Sequence, residues 1–179
     1  KSDNYQAVMI YQSMSGDADS GTSAFTMTGG SLTSLNGHMF HVTNTHAVIT
    51  LSGVELVNGD ETDVLLSVCD DGWNGASNIA ELNAVGQALS GTILVGENAT
   101  LTLNLTGGST FEGAIGGEIA NAKGETISTE VGEVTVTLDQ TKVPEGMVFD
   151  LWSTGKFELP LEQDYKAESI TFTMNDDVD

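Results

Sequence analysis

Short segments that alternate apolar and polar residues recur along this chain, roughly every two to three dozen residues. Five of these segments start at Phe25, Ile49, Ala80, Leu101 and Val134. Alternation with period two predicts a β-strand that buries one face, because successive side chains of a strand point to opposite sides. Repetition in a fixed order predicts a solenoid, in which each repeat stacks on its neighbours.

Two further series of apolar residues follow the first in the same order. One comprises Leu32, Leu56, Leu89, Phe111 and Val143, and the other comprises Phe40, Leu66, Ile93, Ile115 and Val148. Three short alternating segments in each repeat predict an all-β fold, namely a parallel β-helix of about five coils with three short strands per coil.

The repeat also predicts which side chains face the core. We expect one inward ladder from the first series and one outward rank of threonines on the same face, since stacked strands lie about 4.8 Å apart. The inward ladder comprises Phe25, Ile49, Ala80, Leu101 and Val134, and the outward rank comprises Thr26, Thr50, Thr102 and Thr135. Leu103 is expected to be buried between Leu82 and Val136.

Two local features refine this prediction. Residues 77–89 have apolar spacing that also suits a helix, but the repeat favours a strand there. Three glycine positions, Gly29–Gly30, Gly53 and Gly107–Gly108, follow alternating segments and predict one shared corner, because glycine adopts positive φ at no steric cost.

The charge of the chain limits its partners. It has 26 acidic and 5 basic residues, none of them arginine, and a formal net charge of −21. Such a surface repels nucleic acids and anionic lipid headgroups and attracts cations. No apolar run is long enough to predict a membrane-spanning helix. The single cysteine, Cys69, is expected at the edge of the core as a small apolar residue.

All three histidines flank one predicted strand. His41 lies between Phe40 and Val42 and is therefore expected to point outward, with His38 and His46 nearby. Solvated surface imidazoles are the simpler interpretation, and a zinc site would need matched geometry and a further ligand.

Acidic turns between the apolar segments provide candidate calcium ligands, because Ca²⁺ prefers several carboxylate and carbonyl oxygens. The candidate metal ligands are Asp17, Asp19, Asp60 and Asp63. None of these turns is a complete twelve-residue calcium loop, so each is either a partial site for Ca²⁺ or a turn with solvated carboxylates. The sequence implies no other cofactor.

The turn after residue 69 departs from the repeat and contains an aromatic residue. Its candidate ligand-binding residues are Asp70, Asp71, Trp73 and Asn74. Trp73 either stacks on a sugar ring, with its polar neighbours bonding the hydroxyl groups, or folds back over the flank of the coil.

Several segments resemble those of secreted bacterial β-helix proteins, namely residues 11–17, 25–30, 42–45 and 101–106. These relatives are large adhesin-like surface proteins with a pectate-lyase-like architecture, some of them labelled carbohydrate-binding domains. The resemblance covers about residues 7–159. It implies a right-handed β-helix and an extracellular or cell-surface location in a bacterium.

The length of the chain predicts a single β-helix domain over residues 1–179, with core coils over about residues 7–159. Residues 161–174 break the repeat, so residues 160–179 are expected to be a cap or a join to other domains of a longer surface protein. The expected function is a non-enzymatic binding or structural module that contacts glycans or a host surface. The alternative is a calcium-dependent polysaccharide lyase or hydrolase domain. Against the alternative, the chain lacks the arginine and the histidine motif that enzymes of this architecture use.

Overall fold

A computed structural model describes residues 6–12, 21–59, 63–70, 77–116, 119–120, 126–128, 133–138 and 169–173. Within these ranges the protein is all-β and contains no helix. The strands are β1 (Val8–Tyr11), β2 (Thr22–Thr28), β3 (Ser31–Ser34), β4 (Phe40–Thr43), β5 (Thr45–Ser52), β6 (Glu55–Asn58), β7 (Val64–Val68), β8 (Asn78–Val85), β9 (Ala88–Ser90), β10 (Thr92–Val95), β11 (Ala99–Thr106), β12 (Thr110–Glu112), β13 (Ile119–Ala120), β14 (Thr126–Ser128), β15 (Glu133–Leu138) and β16 (Ser169–Thr173).

Most of these strands pair in parallel. A six-stranded sheet has the order β16-β15-β11-β8-β5-β2, and only β16 in it is antiparallel to its neighbour. A four-stranded parallel sheet has the order β1-β4-β7-β10, and two smaller parallel sheets are β3-β6 and β12-β9. From β1 to β12, successive strands join the four-stranded, the six-stranded and a two-stranded sheet in strict rotation. The predicted all-β class with parallel sheets is confirmed, and the rotation is compatible with a β-helix.

The register of the six-stranded sheet corrects the predicted inward ladder. Phe25 pairs with Ile49 as expected, but Ile49 pairs with Leu82, and Ala80 pairs instead with Ala47. The prediction that Ala80 follows Ile49 in the ladder is therefore wrong by two residues. A shift of two keeps every side chain on the same face, so alternation alone does not reveal it.

The same shift divides the predicted rank of threonines. Thr26 pairs with Thr50, but Thr50 pairs with Asn83 on the next strand. Thr102 pairs with Glu81 on one side and with Thr135 on the other. The four threonines of the predicted rank thus fall into two separate pairs, and the prediction of one continuous rank is wrong.

Of the other two apolar series, the one that starts at Phe40 is confirmed as a stack in the described residues, whereas the one that starts at Leu32 is divided between two sheets. Leu66 lies between Phe40 and Ile93 in the four-stranded sheet, and Ile93 forms a bridge to Ile115. Leu32 pairs with Leu56, and Leu89 pairs with Phe111. Val143 and Val148 lie outside the described residues. Residues 77–89 contain β8 and part of β9, so the strand interpretation of this segment is also correct.

A positive-φ glycine follows each of four strands of the six-stranded sheet. Gly29, Gly53 and Gly107 have φ of 64°, 60° and 64°, as their shared corner predicts. Gly86, with φ of 58°, occupies the same position after β8. Backbone hydrogen bonds continue the sheet into this corner, since Gly29 N donates to Ser52 O (2.8 Å).

One buried side chain joins the two small parallel sheets. Gln87 precedes β9 and is only 3% exposed. Its Oε1 accepts a hydrogen bond from Val54 N (2.7 Å), and its Nε2 donates to Val54 O (2.8 Å). Val54 precedes β6, so an amide side chain connects β6 to β9 where those strands belong to separate sheets.

Gln87→Ala is expected to lower the free energy of unfolding by about 1–3 kcal/mol, because it removes the partner of a buried N–H and a buried C=O at Val54. Chemical denaturation measures this loss. Thr110→Ala is the control, since Thr110 is exposed on β12 beside the same corner. Equal stability of the two variants would show that the amide bridge contributes nothing.

Candidate functional site

The two larger sheets differ in how much of their outer face solvent reaches. In β5, β8 and β11, buried core residues alternate with partly exposed residues along each strand. In β4 and β7 every residue is buried, whether its side chain points inward or outward. The outer face of the six-stranded sheet is therefore open to a ligand, whereas the outer face of the four-stranded sheet is shielded at β4 and β7.

His41 lies on the shielded face. It pairs with Met9 and Ser67, and it is 1% exposed. His41 lies between the core residues Phe40 and Val42 on β4 and alternates with them, as predicted. The prediction that its imidazole is exposed to solvent is wrong. The ring of His38 lies at a centroid distance of 5.9 Å from that of His41, with the two ring planes tilted.

Cys69 is buried beside the same shielded face. It forms a small apolar cluster with Val64 and Leu94, apart from the main core. The hydroxyl of Ser67 donates a hydrogen bond to its Sγ (4.0 Å). The predicted placement of Cys69 as a small apolar residue at the edge of the core is confirmed.

The open face carries a chain of hydrogen-bonded polar side chains at its centre. Asn104 Nδ2 donates to Asn83 Oδ1 (2.8 Å), and Asn83 Nδ2 donates to Glu81 Oε1 (2.8 Å). Asn83 and Asn104 are register partners on adjacent strands, and Glu81 is the next outward residue of β8. Each amide has two N–H donors and one oxygen, so the network fixes the side chains and leaves further groups for a ligand.

Apolar side chains flank this polar chain on the same face. Ile79 and Val85 lie outward on β8 on either side of it, and Val48 pairs with Glu81 from the neighbouring strand. Val85 is one of the large apolar residues exposed in the structure, at 43%. A flat polar centre with apolar margins suits a ligand that has both hydroxyl groups and C–H faces, as a sugar ring has.

Sequence reasoning missed this site. Period-two alternation indicates that Glu81, Asn83 and Asn104 point outward, because Leu82 and Leu103 point inward. The contact between Asn83 and Asn104 depends on the register between β8 and β11, which no local pattern reveals.

Two of the residues that the sequence singled out as ligands are described, and both are exposed. Asp63 has a positive φ of 49°, and its carbonyl oxygen accepts a hydrogen bond from Thr92 N (2.8 Å), so its backbone connects two strands. Asp70 follows β7 in the turn after Cys69. In the described part of the chain, no group of three or more His, Cys, Asp or Glu residues could hold a metal ion, so neither Asp63 nor Asp70 belongs to such a group there.

The remaining predicted ligands lie outside the described residues. They are Asp17, Asp19, Asp60, Asp71, Trp73 and Asn74. The calcium turns and the sugar-stacking role of Trp73 therefore stay predictions from the sequence.

Comparisons with known proteins do not identify a relative of this chain. Among the described residues, no helix has the length and apolar character needed to cross a membrane. No protein-family model matches the chain, and neither a curated protein nor a solved structure matches it.

Proposed function

We propose that the chain is a right-handed parallel β-helix of about five coils with three short strands per coil. The rotation of β1 to β12 through the parallel sheets supports the coil, and the in-register pairing of β2, β5, β8, β11 and β15 supports the stack. The right hand follows from the strong preference of parallel crossover connections for that hand. β16, antiparallel to β15, would be a C-terminal cap for the stack.

The function that we propose is binding: the chain is an extracellular or cell-surface module of a bacterial adhesin, and it contacts glycans through the open face of the six-stranded sheet. The observation that carries this proposal is the hydrogen-bonded chain of Glu81, Asn83 and Asn104 on that face. These groups are held in place by a sheet whose inner side is the core, so binding would cost little side-chain entropy.

Electrostatics favour a neutral glycan. Glu81 lies at the centre of the face, and the chain has a net charge of −21. Anionic sugars such as uronates or sulfated saccharides would be repelled, whereas neutral hexoses can bond to amides and to a carboxylate without that penalty. Trp73 is a second candidate contact, on the basis of the sequence alone.

A glycan array followed by titration of the bound oligosaccharide tests the proposal. Asn83→Ala combined with Asn104→Ala is expected to weaken binding at least about tenfold, since it removes the amides that would bond the hydroxyl groups. The matched control is Asn36→Ala, which removes an exposed asparagine from a turn away from the open face.

The outcomes separate the candidate sites and the alternative function. Binding that survives the double substitution but is lost in Trp73→Ala would move the site to the turn that contains Trp73. Absence of binding to any neutral glycan would contradict the binding proposal. Titrations with Ca²⁺ and with a chelator, together with an assay for released reducing ends, would show whether the module is instead a calcium-dependent enzyme.

A further inference from the structure

A long part of this acidic chain contains no acidic residue, no lysine and no arginine. Residues 21–54 contain no Asp, Glu, Lys or Arg, although the whole chain has 26 acidic and 5 basic residues. This segment comprises strands β2 to β5. Residues 6–12, which include β1, are also free of these residue types. The negative charge is thus excluded from the described strands at the start of the stack.

The topology brings the charge-free strands to one end of the molecule. β1, β2 and β3 are the terminal strands of three sheets, as the strand orders show, and each of them pairs in parallel with its neighbour. Each pairs on one side only within the described structure, with β4, β5 and β6 respectively. We call the end formed by β1, β2 and β3 the neutral end. Its strand edges present N–H and C=O groups in the way that templates the addition of another strand.

Apolar side chains at the neutral end are incompletely covered. Phe25 and Met27 of β2 are partly exposed, whereas their register partners Ile49 and Leu51 are fully buried. Three of the large apolar residues exposed in the structure also belong to this region: Met9 (36%), Tyr11 (48%) and Leu35 (79%). Open edges, missing charge and exposed apolar surface therefore coincide at one end.

We propose that the neutral end is a dimer interface, at which β2 pairs in antiparallel fashion with β2 of a second copy of this chain. The distribution of charge favours a second copy of this chain as the partner. Two copies, each with a net charge of −21, repel one another at most orientations. The described strands of the neutral end bring no carboxylate to such a contact, and a two-fold axis makes the same surface serve both subunits.

The sequence of β2 is compatible with such an axis through Phe25. Phe25 is the central residue of Thr22–Thr28, so antiparallel pairing about it places Ser23 beside Met27 of the partner subunit. Inward positions then meet inward positions, and the apolar core continues across the interface. Ala24 and Thr26, both exposed on the outer face, meet in the same way.

The backbone of β2 also has donors for this pairing. Gly29 N donates to Ser52 O of the neighbouring strand, and successive N–H groups of a strand point to opposite sides. The N–H groups of Ala24 and Thr26 are therefore expected to point to the open edge. They would form the hydrogen bonds of the dimer.

Sedimentation equilibrium of the 179-residue chain over a wide range of concentration tests the proposal. We expect a monomer–dimer equilibrium that added NaCl strengthens, because screening reduces the repulsion between the two copies. Ala24→Glu places two carboxylates near the axis, and Thr26→Pro removes an N–H from the open edge. Each is expected to weaken dimerisation at least about tenfold.

Thr50→Glu is the matched control, because it adds the same charge to the same face one strand away from the edge. It is expected to leave the dimer largely intact. The melting temperature of each variant checks that it is folded. If Thr26→Pro does not fold, Ala24→Glu carries the test alone. A wild-type chain that stays monomeric at every concentration would overturn the proposal. So would a dimer that Ala24→Glu and Thr50→Glu affect equally, or amides of β2 whose protection from hydrogen exchange does not depend on concentration.

Discussion

Leu103→Ala is expected to lower the free energy of unfolding by about 2–5 kcal/mol, as truncation of a fully buried leucine does. Leu103 is 0% exposed and lies between Leu82 and Val136 in the ladder of the six-stranded sheet, as the sequence predicted. A cavity there would be bounded by strands on both sides, so the stack has little room to collapse into it. Chemical denaturation with the slope held constant measures the loss.

Thr102→Ser is the control for this prediction. Thr102 precedes Leu103 on the same strand and faces outward beside Glu81 and Thr135. Its loss of one methyl group on a partly exposed face is expected to change the stability by less than about 0.5 kcal/mol. A larger loss for Thr102→Ser than for Leu103→Ala would reverse the assignment of inner and outer faces.

Gly91→Ala is expected to destabilise the protein by at least about 3 kcal/mol, through backbone strain combined with steric overlap. Gly91 lies between β9 and β10 with φ of 114°, which L side chains rarely adopt. A Cβ atom there would lie 2.6 Å from the carbonyl oxygen of Asp63 and 3.4 Å from Leu65. The oxygen of Asp63 accepts the hydrogen bond from Thr92 N, so it cannot move without cost.

Gly53→Ala separates the two contributions to this effect. Gly53 also has a positive φ, 60°, but a Cβ atom there meets nothing within 4 Å. Its substitution is expected to cost about 1–2 kcal/mol, the usual penalty for an L residue in the left-handed region. Thermal and chemical unfolding of both variants measure the difference. Equal losses of unfolding free energy in the two variants would show that the close approach of Gly91 to Asp63 does not contribute to the destabilisation.

The proposed binding face and the core are adjacent along the chain but can be tested separately. Leu103 points into the core, and the next residue, Asn104, carries the outer hydrogen bond to Asn83. Substitution of Asn104 removes groups from the partly exposed face and leaves the apolar ladder unchanged. Stability and glycan binding should therefore respond to different residues of the same strand.

The sequence by itself determined which side chains of the alternating strands face inward and the class of the fold. Alternation with period two placed Leu103 inward and Thr102 outward, and the recurrence of three apolar series predicted an all-β chain with parallel sheets. Glycine at Gly29, Gly53 and Gly107 predicted a shared corner, because positive φ is a local property of the backbone. These features depend on near neighbours in the chain, and local patterns record them.

Only the tertiary structure decided the register between strands, the burial of each sheet face and which distant strands lie side by side. A register shift of two residues leaves alternation unchanged, so only the folded chain shows that Ile49 meets Leu82 and that Asn83 meets Asn104. The burial of His41 depends on whether its sheet is shielded from solvent, which the pattern of its own strand does not encode. The absence of Asp, Glu, Lys and Arg from residues 21–54 is visible in the sequence. The neutral end forms only because β1, β2 and β3 each lie at the end of a sheet. Strand order is set by contacts between distant segments, so the sequence pattern does not reveal it.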